Sequence, residues 1–345
     1  DNVFYYLTLL NENYAMPGLK AGTEEFKNEE VRVWTLDGEV LIASFKAKMH
    51  VMGPEVLEGL NRAIDLGVTL IDTAELYGAG RNEELVGKAL KGRRDKVVLA
   101  SKFGLKTHTG RSIPTDSSPA NIRIAVEGSL KRLDVDYIDL YYQHRIDKET
   151  PIEETIGTLV ELINEGKIRH IGMSEAGQEN IRRANAVHPI TALQSEYSLW
   201  TRDGEDGTLD LLRELGIGFV PYSPLGRGFL SGTIRDMDWM YDDDFRRSNP
   251  RFLPGAFEHN LTVLAELEAI ADEAGCTPAQ LALAWLLHKG ADWSPIPGTV
   301  NVNHLEEDLA AVDVELTVDQ VARLDNCTQP EGGHHTEAQL TYFDR

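Results

Sequence analysis

Cysteine is scarce in this 345-residue chain: Cys276 and Cys327 are the only two, neither spaced as metal ligands nor dense enough to staple a small secreted domain. A reducing, cytoplasmic location is the expectation. Positive charge is also short, with 34 Lys and Arg against 56 Asp and Glu and a formal net charge of -22. Such a surface repels phosphate backbones and anionic lipid, so neither nucleic acid nor a membrane is an expected partner. An anionic ligand requires a local basic pocket. No apolar run approaches the roughly 20 residues of a membrane-spanning helix, and the basic-then-apolar pattern of a signal peptide is missing at the N-terminus. The first residue is Asp1 and not Met, as a missing upstream piece would leave it.

What is present is an ordinary globular balance of 42% apolar and 26% charged residues. From about residue 54 onward, short runs rich in Val, Ile, Leu and Tyr alternate with longer segments of helical period. Strands are predicted at 68–74, 96–102, 137–144, 169–174, 190–195, 217–223 and 293–298, with a candidate eighth near 39–48. Helices are predicted at 54–66, 82–91, 119–133, 151–165, 177–187, 207–215 and 278–290, several opened by Pro or a small polar residue. This alternation predicts an α/β fold, a (β/α)8 TIM barrel, with an open doubly wound sheet as the second choice. Segment 234–260 breaks the rhythm and is expected as a long ordered loop over one barrel face; helices near 261–274, 303–312 and 317–326 are extra C-terminal decoration. "LDGEVL" predicts a hairpin turning at Asp37 and Gly38. Residues 1–36 are taken as an atypical extension and 37–345 as the barrel.

Barrel enzymes carry their chemistry at the C-terminal ends of strands. Those ends are Asp72, Lys102, His144, Ser174, Gln194 and Tyr222-Ser223, with Tyr77 in the loop after the first. A free phenol is a poor acid at neutral pH. A buried Lys102 ammonium beside Tyr77 stabilises the phenolate, and Asp72 keeps that ammonium from being an isolated interior charge. His144 can donate a hydrogen bond that aims a carbonyl oxygen at the phenol. Taken singly, each residue has a plainer role as cap, core ring or satisfied strand end; their joint placement is what favours chemistry.

The stretches "LIDTAELYG", "ASKFG", "YYQHRID", "EGKIRHIGMSEA", "LQSEYSLWTRD", "PYSPLGRGFLSG" and "PIPGT" occur in that order. Over roughly residues 54–330 the chain resembles the aldo-keto reductase family. The resemblance implies an NAD(P)H-dependent reduction of aldehydes or ketones, with Tyr77 as proton donor and Asp72, Lys102 and His144 completing a tetrad. It implies that Tyr222 stacks on the nicotinamide, that Ser174 and Gln194 bind its carboxamide, and that Ser223, Leu225, Gly226 and Arg227 lie along the pyrophosphate. Gly298, Thr299, Glu307 and Asp308 are further implied cofactor contacts. A non-catalytic, cofactor-binding regulatory subunit on the same fold is the alternative, and an inert chimera a third reading. Small-molecule carbonyl compounds are the expected substrates; oligomeric state is open. Trp200 is expected either to line the substrate pocket or to pack beneath the 234–260 loop.

Two departures from the family pattern stand out. After "PIPGT" the run "VNVNHLEEDL" has no Lys or Arg, where family members usually grip an adenosine 2′-phosphate. The family favours NADP(H), whereas Glu306, Glu307 and Asp308 would repel that phosphate and favour NAD(H); NADP(H) is kept first. Second, "SFKAKMH" offers Lys46 and Lys48 where the family's first strand carries small residues. Residues 1–19 resemble a short segment of the bacterial type of pyruvate dehydrogenase E1 component, too short to carry that activity. The adjacent His334 and His335 cannot face one metal as helix partners do, so no metal is expected.

Overall fold

A computed structural model of the chain describes residues 23–27, 31–36, 40–45, 70–105, 114–238, 240, 244–290, 292–297, 304, 307–308, 310–340 and 343–344. The strand β1 (Thr23–Lys27), β2 (Val31–Leu36) and β3 (Val40–Phe45) form a separate antiparallel sheet in that order. The second sheet is parallel: β4 (Leu70–Asp72), β5 (Val98–Phe103), β6 (Ile138–Gln143), β7 (Ile168–Ser174), β8 (Ala192–Glu196) and β9 (Gly218–Tyr222), each bonded to the next in sequence. Parallel neighbours need crossover connections. Helices α1 (Arg81–Leu90), α2 (Pro119–Leu133), α3 (Ile152–Asn164), α4 (Gln178–Val187) and α5 (Thr208–Leu215) supply them after β4, β5, β6, β7 and β8, respectively.

Beyond β9 the pattern continues only as bridges, Phe219 with Trp293 and Tyr222 with Ile296, both parallel. These sit where the seventh predicted strand was placed. The candidate eighth is corrected: Val40–Phe45 pairs antiparallel with Val31–Leu36, and among the described residues no eighth parallel strand closes the sheet. A partner a few residues away is reached at far lower loop-closure entropy than one across a barrel, so the hairpin reading of "LDGEVL" prevails, although turn residues 37–39 lie outside the described ones. The boundary expected at 36/37 therefore falls between two paired strands. Predicted helix 54–66, Lys46, Lys48 and residues 1–19 also lie outside the described residues.

Period-two alternation divides the parallel sheet into two faces. Leu99, Tyr141, Ile171, Met173, Leu193 and Phe219 pack with the helices in the large core. The opposite face buries a small cluster of Ala100, Leu140, Tyr142, Ala192, Val220 and Ile296. By the same parity Asp72, Lys102, Ser174, Gln194, Glu196 and Tyr222 share that face one step nearer the strands' C-terminal ends. Gly172 makes room there: a Cβ at this position would collide with the fully buried Tyr142 ring. Gly172→Ala is expected to destabilise by about 1–3 kcal/mol, read as a lower urea midpoint at unchanged m.

Helix starts follow the sequence signals. Ser118 accepts from Asn121 N ahead of Pro119, and Thr277 with Gln280 forms a capping box at the start of α7 (Pro278–Lys289). The 234–260 segment is shorter as a loop than predicted, because helix α6 (Ala256–Ala274) begins where Gly255, at φ 89°, reverses the chain and Glu258 accepts its N–H. After α7 come α8 (Val318–Asp325) and the short α9 (Glu337–Leu340). Among the described residues no helix is long and apolar enough to cross a membrane. Cys276 and Cys327 are free thiols.

Candidate active site

β4 and β5 lie side by side with Asp72 opposite Ala100, which sets Lys102 one pleat above the acid on the same face. The Lys102 ammonium, fully buried, is bonded to the Asp72 carboxylate, to Thr73 O at 3.0 Å and to the Tyr77 hydroxyl at 3.4 Å. Tyr77 reaches back because the chain turns sharply after it: Gly78, Ala79 and Gly80 all have positive φ before α1 begins. Burial alone would lower the Lys102 pKa, but the Asp72 carboxylate and then Tyr77 carry it above its ordinary value. The ammonium is thus held charged. Asp72 is pushed up by burial, against the opposing pull of Lys102, and Gln194 also hydrogen-bonds it.

His144 follows β6, and its ring meets that of Tyr77 edge-on at 6.0 Å between centroids, 88° apart in plane. Its pKa is held well below the ordinary imidazole value by burial first, then by the Arg145 and Lys102 cations. The imidazole is therefore neutral at neutral pH, with a single N–H to donate. Unfolding frees the ring to titrate near its ordinary value of about 6.5. Below that pH the unfolded chain binds a proton that the folded chain refuses, so stability falls as pH drops through about 6.5, by up to about 1.4 kcal/mol per unit from this residue. Above it the residue contributes no slope. His144→Gln is expected to flatten the urea-midpoint profile between about pH 6.5 and 5; an unchanged slope would mean that the ring titrates in the folded chain.

Ser174 ends β7 and pairs with Gln194, two residues before the end of β8; both are buried. Tyr222 ends β9, half-buried beside Glu196 in register. The "SPLGRG" turn after it carries positive φ at Ser223, Gly226, Arg227 and Gly228; Leu225 precedes this kink. Arg227, expected at a pyrophosphate, donates to Glu196 Oε2 at 3.0 Å and to His334 O at 2.7 Å. Gly298 and Thr299 lie outside the described residues. Asp308 is buried and its pKa is pushed up to about 8, by burial and then by Glu307. One of the acids expected to repel a 2′-phosphate is thus mostly protonated at neutral pH.

Trp200 is 2% exposed, stacked on Phe229 at 4.1 Å and edge-on to Phe252 at 6.0 Å, with Arg251 over its ring. Phe252 belongs to the 234–260 segment, so the indole packs beneath that loop. Sequence reasoning passed over Arg145, which follows His144 directly and donates to His144 O at 2.6 Å and Ser174 Oγ at 3.1 Å. "YYQHRID" contained the signal. It also passed over Phe343, buried 5.1 Å from the Arg145 guanidinium, and Asp344, which accepts from Gly177 N at 2.8 Å and Asn180 Nδ2 at 2.7 Å at the start of α4. Nothing local in "TYFDR" shows this docking.

A thermostable aldo-keto reductase, Tm1743, solved with the inhibitor epalrestat, is 34% identical, with a TM-score of 0.65 over 82% of this chain and 90% of that one. The glycerol dehydrogenase AKR11B4 from Gluconobacter oxydans is 32% identical, with a TM-score of 0.71 over 80% and 86%. An aldo/keto reductase from Klebsiella pneumoniae, solved with NADP and acetate, is 29% identical, with a TM-score of 0.61 over 81% and 88%. The profile of the aldo/keto reductase family matches residues 43–329, most of the length of the chain and every strand that builds the site. The chain belongs to the aldo/keto reductase family.

Proposed function

We propose that the protein reduces the carbonyl group of small aldehydes or ketones to the alcohol, using a nicotinamide cofactor, with Tyr77 as the proton donor. Membership of the family makes it an NAD(P)H-dependent oxidoreductase. One observation carries the assignment of roles: a single buried ammonium, Lys102, touches both the Asp72 carboxylate and the Tyr77 hydroxyl. In the same reading the parallel sheet, with its bridged edge at 293–296, is the larger part of a (β/α)8 barrel.

The residues present fit the cofactor by their chemistry. Ser174 and Gln194 offer a hydroxyl and an amide side by side for a carboxamide, Tyr222 offers a ring face, and Arg227 a cation for a pyrophosphate. When bound, the reduced nicotinamide supplies the hydride for the carbonyl carbon. His144, neutral, donates a hydrogen bond to the carbonyl oxygen and holds it toward Tyr77. As charge builds on that oxygen, the Tyr77 hydroxyl gives up its proton, and the Lys102 ammonium stabilises the phenolate left behind. Asp72 keeps Lys102 charged and in place.

NADP(H) is the cofactor we assign. The Klebsiella pneumoniae relative was solved with it, and the protonated Asp308 removes part of the repulsion read from the sequence. NAD(H) stays second, on the absence of Lys and Arg between residues 300 and 309. The comparisons lend no support to a non-catalytic subunit. Adding a reactive aromatic aldehyde to the protein with NADPH is expected to cause a steady fall in NADPH absorbance. Saturable NADPH binding without that fall, over a panel of aldehydes and ketones, would sink the catalytic reading.

A further inference from the structure

Glu196 ends β8 on the inner face of the sheet, and its carboxylate is almost completely buried. Thr201 Oγ1 donates to its Oε1 at 3.2 Å, which fixes the plane of the group. Three nitrogens crowd the other oxygen: His335 Nε2 at 3.1 Å, His334 Nδ1 at 3.2 Å and Arg227 Nη2 at 3.0 Å. Residues 334 and 335 lie in a bend and not on a helix, so neighbours in sequence can turn their rings together, 4.6 Å apart between centroids. The loop is pinned by its backbone, since His334 O accepts from Arg227 Nη1 at 2.7 Å and Asn249 Nδ2 at 2.8 Å. On the far side of its ring, His334 Nε2 faces Asp203 Oδ2 at 3.2 Å.

We propose that Glu196, His334 and His335 form a binding site for a divalent transition-metal ion of the zinc class, which clamps the C-terminal segment to the end of β8. The three ligand atoms lie within 4.8 Å of one another, and two imidazoles with one carboxylate are a donor set that zinc accepts, leaving one position open. Outer partners of the kind that orient metal ligands are in place: a carboxylate, Asp203, on the remote nitrogen of His334 and a hydroxyl, Thr201, on the remote oxygen of Glu196. In the metal-free chain the Arg227 guanidinium supplies the positive charge that Glu196 needs. That arrangement is frustrated at His335: Nε2 also lies 3.2 Å from Arg227 Nη2, and one ring nitrogen cannot both accept from a guanidinium and donate to a carboxylate. A metal ion removes the conflict, because each imidazole then uses a lone pair and the Arg227 Nη2 contact gives way, while Asn249 Nδ2 keeps its hold on His334 O.

The site does not depend on the reductase reading, and binding, not turnover, is its readout. The full-length chain, freed of metal with a chelator, is titrated with Zn2+ against a chromophoric competitor and with Co2+ in the visible region. One equivalent of each is expected to bind, Co2+ with the strong ligand-field bands of a four-coordinate ion, whereas Mg2+ does not compete. Asp203→Asn, on a half-exposed side chain, is expected to weaken binding about 10–100-fold. Glu196→Gln and His335→Gln abolish the Co2+ bands, and Arg227→Ala tightens binding by removing the competing cation. Circular dichroism of each variant separates loss of ligand from loss of fold. The proposal is overturned if neither the unaltered chain nor the Arg227→Ala variant binds Zn2+ stoichiometrically, or if affinity is indifferent to changes at residues 196, 203 and 335 in folded protein.

Discussion

Tyr77→Phe is expected to lower kcat by about 10²–10⁴-fold, the usual span for removal of a positioned general acid, with NADPH affinity unchanged within about twofold. The ring is retained, so its edge contact with His144 and its place over the Lys102 ammonium, 5.0 Å from the centroid, persist. Only the hydroxyl, and with it the 3.4 Å link to Lys102, is lost. Stopped-flow loss of NADPH absorbance measures the first quantity and quenching of protein fluorescence the second. A variant that turns over at the original rate would show that the proton comes from elsewhere, with His144 or water the next candidates. Because the cofactor contacts proposed above arise from β7, β8 and β9, and Tyr77 from the loop after β4, a parallel loss of binding would argue against that separation of roles.

The second large effect concerns the pair beneath it. Lys102→Met leaves the Asp72 carboxylate buried without its cation, and Asp72→Leu leaves the fully buried Lys102 ammonium without its anion. Each is expected to cost about 3–5 kcal/mol of stability, the toll of an uncompensated interior charge. The double variant Asp72→Leu/Lys102→Met is expected to recover most of that loss, since two apolar side chains leave no charge to solvate, yet to remain inactive like each single variant. Urea midpoints at neutral pH supply the double-mutant cycle. Additive penalties would mean that the two residues are held by unrelated interactions, and the account of how Tyr77 is activated would then fail with them.

Apolar packing and buried polar groups divide between the two faces of one sheet. The helix-facing residues, such as Tyr141, Met173 and Phe219, are apolar and join the large core. On the inner face a thin apolar floor of Leu140, Val220 and Ile296 supports charged and amide groups. The interior polar groups are kept there by partners: Asp72 by Lys102, Glu196 by Arg227 and Thr201.

The amino-acid sequence by itself determined what is local or periodic. Strand and helix alternation, helix starts opened by Pro or a small polar residue, and the residues at the strand ends were all legible, because parity along a strand decides which side chains share a face before any strand finds its neighbour. Asp72, Lys102, His144, Ser174, Gln194 and Tyr222 could thus be picked out one strand at a time. Only the tertiary structure decided matters that rest on contacts between distant segments. Trp200 went under Phe252, and Arg227 turned to Glu196 and His334. The convergence of residue 196 with 334 and 335 belongs to the same class. No period or propensity encodes a meeting across more than a hundred residues; it follows from where the packed sheet and the returning C-terminal segment leave a buried charge in need of a partner.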